Sequence, residues 1–207
     1  DSIYQNAIDY YKNGDKTTGL GGGRLTNMVF DKSGASIEMG RDMPHAEIGP
    51  SAAAEFCLTA LNQGTDLFSL DDNLLLRSFE FLMKDNLTHQ CDWTSYNDCD
   101  NHNLFDVSPR YAFRLTGFPG CEIIYNHYVN KMGLQAPYTE QAIKLRGLTN
   151  YGWEASNYPV LTYIDDGAQT VYDNLNIPSA PINVQAVPGI NCINLSWTRP
   201  DWRLVNG

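Results

Sequence analysis

The sequence predicts a mainly helical protein that ends in a short β segment. Up to residue 177, apolar residues recur at helical spacing in several segments, and long polar connections separate these segments. From Pro178 onward the pattern changes to an alternation of period two, interrupted by prolines. We therefore predict two parts, a helical part over residues 1–177 and a β part over residues 178–207.

The helical part contains segments with recognisable ends. Glycine after asparagine ends a helix well, aspartate begins one well, and proline is tolerated in a first turn. On these rules the predicted bounds are a helix that ends at Asn13-Gly14, one that follows Pro50 and ends at Asn62-Gln63-Gly64, one that begins after Asp71-Asp72, one over residues 121–132, and a short one after Pro137-Tyr138-Thr139. Repeated helices with long connections are typical of an array such as an α/α toroid.

A glycine-rich stretch separates the first two helices. Within residues 14–40, the runs Leu25–Phe30 and Ala35–Met39 are predicted to be extended pieces or a hairpin. The stretch does not match a phosphate-binding loop, because it lacks the lysine that such a loop requires.

Composition excludes several classes of function. The 207 residues carry a net charge of −10, which disfavours binding to nucleic acid or to an anionic membrane. The chain has no apolar run near the roughly 20 residues that span a bilayer. Cys91 and Cys99 bracket a polar loop, and a disulfide there would suit a secreted protein. Because the chain begins abruptly at Asp1, we expect it to be a piece of a longer precursor.

The strongest candidate site is the run from Glu38 to Gly49. Pro44 fits the first turn of a helix, which places His45 in that turn and Arg41 just before it. The positive end of a helix disfavours imidazolium, so His45 can act as a neutral base, and a guanidinium such as Arg41 can hold a carboxylate. In the alternative interpretation, Arg41 pairs with Glu38 or Asp42, and His45 is structural.

A second candidate site lies in the helix over residues 121–132. Ile124, Tyr125, Tyr128 and Met132 form an apolar stripe, so both tyrosines are either core residues or proton donors that open onto a cleft. Asn126 and Asn130 share another face. Trp153 is a further candidate for stacking on sugar rings.

Three motifs occur in an order that resembles the C-terminal half of the alginate lyase domain family. They are GRDMPHAEIG, NQGTDLF and YNHYVNKMGL, and the resemblance covers roughly residues 1–150. It implies an incomplete α/α toroid from a secreted, extracellular or periplasmic polysaccharide lyase. Residues 178–207 resemble the first two strands of a fibronectin type III module, with Trp197 as its core tryptophan.

The resemblance implies β-elimination on an anionic, uronic-acid polysaccharide, without an organic cofactor or a metal. Arg41 would neutralise the uronate, His45 would be the base or contact the carboxylate, and Tyr128 is the candidate acid. The remaining candidates for substrate contact are Asn126, His127, Glu38, Tyr125 and Trp153.

Two departures from the family pattern keep a second function open. The Asn-His pair of related lyases belongs to a half that this chain lacks, and Ile48 stands where some of them carry a catalytic tyrosine. The alternative is a non-catalytic carbohydrate-binding or structural subunit of an extracellular assembly. Half a toroid would leave apolar helix faces that need a partner, either a second copy or the remainder of the parent chain.

Overall fold

The computed structural model describes residues 2–14, 23–30, 32–39, 43–88, 96–97, 103–104, 120–146, 182–189 and 192–198. Most of these residues are helical, and a two-stranded antiparallel sheet lies near the C-terminal end. In chain order the helices are α1 (Ser2–Asn13), α2 (Leu25–Met28), α3 (Met43–Asn62), α4 (Leu70–Thr88), α5 (Gly120–Ile124), a π-helix (Tyr125–Lys131) and α6 (Pro137–Arg146). The strands are β1 (Tyr96–Asn97), β2 (Asn103–Leu104), β3 (Ile182–Gly189) and β4 (Cys192–Thr198).

The chain divides into two compact units, Asp1–Ala168 and Gln169–Gly207. The boundary predicted at residue 178 lies outside the described residues. The first unit contains all the described helices, and the second contains the hairpin of β3 and β4.

Helix α1 ends where the sequence predicts. Gly14 follows its last residue, and the Gly14 amide donates to the carbonyl of Tyr10 at 2.7 Å. Ile8 and Tyr11 of α1 are buried, whereas Ile3 in its first turn is 78% exposed. One turn of helix is therefore left out of the core.

The glycine-rich stretch forms a minimal hairpin after the single helical turn of α2. Val29 and Ser36 form an antiparallel bridge, which agrees with the predicted hairpin, but residues Leu25–Met28 are helical and not extended. Gly34 has a φ of +80°, and a Cβ atom there would lie 2.6 Å from the carbonyl oxygen of Arg77. A side chain at this turn would therefore collide with the backbone of α4.

Helix α3 begins earlier than predicted, at Met43, and continues through Pro50. A proline inside a helix removes one hydrogen bond and crowds the preceding turn. Burial of a face of small side chains offsets this loss, since the buried residues of α3 include Ala46, Ala53, Ala54, Cys57 and Ala60. The predicted start after Pro50 is therefore wrong.

The end of α3 is set by a glycine, as predicted. Gly64 has a φ of +85°, its amide donates to Leu61 at 2.9 Å, and the amide of Thr65 donates to Ala60 at 2.9 Å. These two bonds form a Schellman motif, which satisfies carbonyls that the helix end leaves open.

Helix α4 begins with an unusual left-handed turn. Asp71, Asp72 and Asn73 have φ values of 50°, 57° and 55°, a region that costs energy for residues other than glycine. The guanidinium of Arg77 donates to the carbonyls of Asp71 and Asp72, at 2.9 Å and 3.4 Å. Right-handed helix follows this turn, in agreement with the start predicted after Asp71-Asp72.

The core of the helical unit is built from α3, α4, α5 and α6. Helix α5 packs closely against both α3 and α4 at Gly120. A Cβ atom there would lie 3.0 Å from the hydroxyl of Ser51 on α3 and 2.4 Å from the ring of Phe79 on α4. Helix α6 is tied to α4 by Glu80, whose carboxylate accepts hydrogen bonds from two amides at the start of α6. The largest fully buried side chains are Tyr128, Phe68, Phe79, Leu25, Leu67, Leu74, Leu75, Leu82, Ile123 and Ile124.

The C-terminal hairpin pairs β3 with β4 in antiparallel register. Gly189 lies opposite Cys192 at the turn, Ala186 opposite Leu195, and Ile182 opposite Thr198, with an irregularity between Ile182 and Gln185. The two predicted strands are therefore confirmed. Their large apolar side chains are exposed in this unit, namely Val184, Val187, Ile193, Leu195 and Trp197.

Candidate functional site

The helix that carries the YNHY motif changes its geometry at the motif itself. The five residues Gly120–Ile124 are α-helical, and the next seven, Tyr125–Lys131, form a π-helix. The sequence predicts a regular helix over residues 121–132, so the helical segment and its end at Gly133 are confirmed but its α geometry is not. Because π segments insert an extra residue per turn and are frequent at functional sites, the change draws attention to this motif.

Tyr128 is a core residue in this structure. Its side chain is fully buried, and its hydroxyl donates a hydrogen bond to the backbone carbonyl of Phe68 at 2.6 Å. Burial raises the pKa of the Tyr128 phenol above its usual range. Of the two interpretations of this tyrosine, core packing is the one that the structure matches, because the hydroxyl does not open onto solvent.

Tyr125 and Asn126 are the first two residues of the π-helix and are also buried. Tyr125 is 7% exposed and Asn126 is 4% exposed. The side-chain oxygen of Asn126 accepts a hydrogen bond from the amide of Asn130 at 3.3 Å. The predicted shared face of the two asparagines is therefore confirmed, although Met132 at the end of the apolar stripe is exposed.

His127 has the most unusual environment of the predicted site residues. Its ring stacks on the ring of Phe68, with centroids 3.9 Å apart and planes inclined by 17°. It meets the edge of the Tyr128 ring at 5.0 Å. Both ring nitrogens are buried, and neither has a hydrogen-bond partner among the described residues.

The charge state of His127 follows from this environment. Burial lowers the pKa of the imidazole, the negative charge of Asp66 opposes this effect, and the positive charge of Lys131 adds to it. The net direction is downward from an ordinary value of about 6.5. The imidazole is therefore neutral at neutral pH, with one nitrogen able to donate and the other able to accept.

His45 lies in the first turn of α3, as predicted from Pro44. Its side chain is partly exposed, and the helix begins two residues earlier, at Met43. Glu38 is also partly exposed, in the turn that follows the Val29–Ser36 bridge. Arg41 and Trp153 lie outside the described residues, as does Asp42, the predicted N-cap.

One carboxylate near His45 has a structural role. Glu47 is 7% exposed, and its side chain accepts a hydrogen bond from the amide of Asn86 at 3.0 Å. The same amide donates to the carbonyl of Leu82 at 3.0 Å. This pair joins α3 to α4 behind the first turn of α3.

Sequence reasoning missed the contact between the π-helix and the loop before α4. Phe68 provides both the ring that stacks on His127 and the carbonyl that binds Tyr128. The amide of Phe68 in turn donates to the carboxylate of Asp66 at 2.9 Å. Asp66 and Phe68 belong to the NQGTDLF motif, but the motif by itself does not indicate a contact with the π-helix.

Cys57, Tyr11 and Phe56 form a second cluster that the sequence does not predict. The thiol of Cys57 donates to the hydroxyl of Tyr11 at 3.4 Å, and the ring of Tyr11 contacts that of Phe56 at 5.1 Å. Burial raises the pKa of the Cys57 thiol to about 12 and raises that of the Tyr11 phenol as well. The thiol is therefore protonated and inert at neutral pH, as is usual for a buried cysteine.

Two further findings concern only the described part of the chain. It contains no group of three or more His, Cys, Asp or Glu side chains placed to hold a metal ion. No helix within it has the length and apolar character needed to cross a bilayer. The predicted pairing of Cys91 with Cys99 lies outside these residues.

Comparison of the chain with models of protein families, with curated proteins and with solved structures gave no significant match. The resemblance to the alginate lyase domain family therefore depends on the three sequence motifs alone.

Proposed function

We propose that the chain belongs to a secreted polysaccharide lyase that cleaves a uronic-acid polymer by β-elimination, and that its helical unit is a portion of an α/α toroid. The observation that supports this proposal best is the environment of His127. The imidazole is half-buried and neutral, and its two shielded nitrogens have no hydrogen bond among the described residues, so they are unsatisfied polar atoms. A sugar hydroxyl supplies the donor and the acceptor that such a ring lacks.

In the proposed reaction, Arg41 and His45 of the GRDMPHAEIG motif have different tasks. Arg41 pairs with the uronate carboxylate, which makes the C5 proton more acidic. His45 removes this proton as the general base. As the proton moves to the imidazole, the double bond forms between C4 and C5 and the C4–O bond breaks. The glycosidic oxygen leaves with its electron pair and takes up a proton.

The buried state of Tyr128 changes its place in this proposal. Its hydroxyl already donates to Phe68, so a proton for the leaving oxygen comes more readily from the imidazolium of His45 or from water. Tyr128 then supports the π-helix that carries His127 and Asn126. Glu38, Tyr125 and Trp153 keep their predicted places as substrate contacts.

The experiment is a cleavage assay on a protein in which this chain forms part of a complete toroid, with alginate, glucuronan and a glycosaminoglycan as substrates. Each elimination creates an unsaturated uronate, whose ultraviolet absorbance reports the reaction directly. Arg41→Ala and His45→Gln are expected to abolish the signal, and His127→Gln is expected to reduce it mainly through a higher KM. His102→Gln, at a histidine outside both candidate sites, is the matched control. Absence of absorbance on all three polymers refutes the lyase.

The exposed hairpin favours a second candidate function, a non-catalytic carbohydrate-binding or structural subunit. Within the second unit, Leu195 and Trp197 on β4 are 61% and 60% exposed. Exposed apolar groups of this size are typical of surfaces that bind a partner or a sugar. This candidate predicts retention of the chain on an immobilised polysaccharide without release of unsaturated product, and it predicts that Trp197→Ala weakens the retention.

A further inference from the structure

Three contacts converge on Phe68, in the loop between α3 and α4. Its amide donates to Asp66 at 2.9 Å, its carbonyl accepts from Tyr128 at 2.6 Å, and its ring stacks on His127. The side chain of Phe68 is fully buried, so this arrangement is part of the core and not a surface contact. The backbone and the ring of one residue therefore hold two neighbouring residues of the π-helix.

The stack on Phe68 takes a role that a hydrogen bond usually plays for histidine. In most functional histidines, a hydrogen bond to one ring nitrogen fixes the plane of the ring and selects the tautomer. The nitrogens of His127 have no such bond among the described residues. What fixes the plane of this imidazole is contact with two aromatic rings, the face of Phe68 at 3.9 Å and the edge of Tyr128 at 5.0 Å.

We propose that Phe68 is the positioning residue of His127, and that Asp66 holds Phe68 in place for this task. The inference rests on the proposed function, in which His127 contacts the sugar. With its plane fixed by stacking, the ring holds both nitrogens without a hydrogen bond to any described residue, so one can donate and the other can accept when a ligand reaches them. A hydrogen-bonded histidine would have only one nitrogen left to offer.

The charged groups around the imidazole give Asp66 a second effect. Asp66 lies on the loop and raises the pKa of His127, whereas Lys131 lies on the π-helix and lowers it. Burial lowers it further and is the largest effect. Burial and the charge of Asp66 therefore act in opposite directions, and removal of the charge alone separates them.

The test measures the imidazole of His127 by NMR in the full chain, without substrate. His127→Gln identifies its signals among the four histidines. In the unsubstituted chain, the ring protons are expected upfield because of the Phe68 ring current, with a pKa below about 6.5. Phe68→Leu keeps an apolar side chain but removes the aromatic face, so the upfield shift is lost. Phe79→Leu, the same change at another buried phenylalanine, leaves both values unchanged.

Asp66→Asn provides a second variant at an exposed position, where folding is not at risk. Asparagine still accepts the Phe68 amide but carries no charge. The upfield shift is therefore expected to persist while the pKa of His127 falls. If Phe68→Leu leaves the shift in place, or if Asp66→Asn leaves the pKa unchanged, the positioning role is wrong.

The kinetic part of the test separates this inference from the proposed function. If the chain is a lyase, Phe68→Leu is expected to raise KM by about tenfold or more with a smaller change in kcat, as expected for a group that binds substrate. A chain with the expected NMR results but without cleavage refutes the lyase and leaves the positioning role standing. A chain that cleaves its polymer but shows none of the NMR changes refutes the positioning role alone.

Discussion

Replacement of Glu80 by glutamine tests how α6 is attached to the rest of the helical unit. The carboxylate of Glu80, on α4, accepts hydrogen bonds from the amides of Tyr138 at 3.1 Å and Thr139 at 2.8 Å. These amides belong to the first turn of α6, where backbone donors have no partner within the helix. Pro137, the first residue of α6, has no amide hydrogen, so the carboxylate serves the next two donors.

The expected loss follows from these two bonds. A hydrogen bond to a charged group contributes about 1.5–3 kcal/mol, and a negative charge at a helix N-terminus adds about 0.3–1 kcal/mol. Glutamine keeps one oxygen acceptor but turns an NH₂ donor toward the other amide. Because Glu80 is partly exposed, water replaces part of this contribution when the carboxylate is removed. We therefore expect Glu80→Gln to lower the free energy of unfolding by about 1–2 kcal/mol, and Glu80→Ala by about 2–3 kcal/mol.

The assay is equilibrium unfolding in urea, followed by far-ultraviolet circular dichroism. Glu140→Gln is the matched control, because Glu140 lies on α6 itself, in an exposed i,i+4 pair with Lys144. Such pairs contribute only about 0.3–0.5 kcal/mol. Equal losses for the two glutamine variants would refute the assignment of Glu80 as the cap of α6.

Four shorter predictions concern other parts of the helical unit. Gly34→Ala is expected to lower the thermal midpoint, because φ is +80° and the added Cβ meets the α4 backbone, whereas Gly49→Ala, in an open helical position, raises it through about 0.5–1 kcal/mol of helix propensity. Cys57 is expected to resist iodoacetamide in the folded chain and to react after denaturation, as measured by intact mass, because burial raises its pKa to about 12. Tyr128→Phe leaves a buried carbonyl without its donor and is expected to lose about 1–3 kcal/mol in urea unfolding. Because the pKa of His127 is lowered on folding, the unfolded chain binds more protons than the folded chain below about pH 6.5. The free energy of unfolding therefore decreases as the pH is lowered through this range. His127→Gln is expected to make urea unfolding curves less dependent on pH.

The parts of the fold that the sequence predicts are those that local chemistry determines. Asn13-Gly14, Gly64 and Gly133 end their helices as expected. Gly64 and Gly133 do so at a positive φ, which costs glycine little energy. Local rules failed at Pro50, where burial of the small residues of α3 outweighs the broken hydrogen bond. They also could not indicate the left-handed turn at Asp71–Asn73, which Arg77 stabilises from the following turn.

The candidate site was predictable to the extent that it depends on spacing within one helix. The place of His45 follows from Pro44, and the contact of Asn126 with Asn130 follows from their separation by four residues. The π geometry does not follow, because an apolar stripe at helical spacing fits α and π segments almost equally well. The hydrogen bond from Tyr128 to Phe68 joins residues 60 positions apart, and nothing in either segment by itself indicates the other.

The state of His127 connects these observations to function. A buried polar group without a hydrogen bond costs about 1–3 kcal/mol, and folded proteins leave few such groups. In this chain the imbalance is held in place by a fully buried phenylalanine, whose own backbone is satisfied on both sides by Asp66 and Tyr128. Among the described residues nothing pairs with the two nitrogens, and the stability of that loop therefore holds the imidazole in place. Under the proposed function, a sugar hydroxyl supplies a hydrogen bond to this ring.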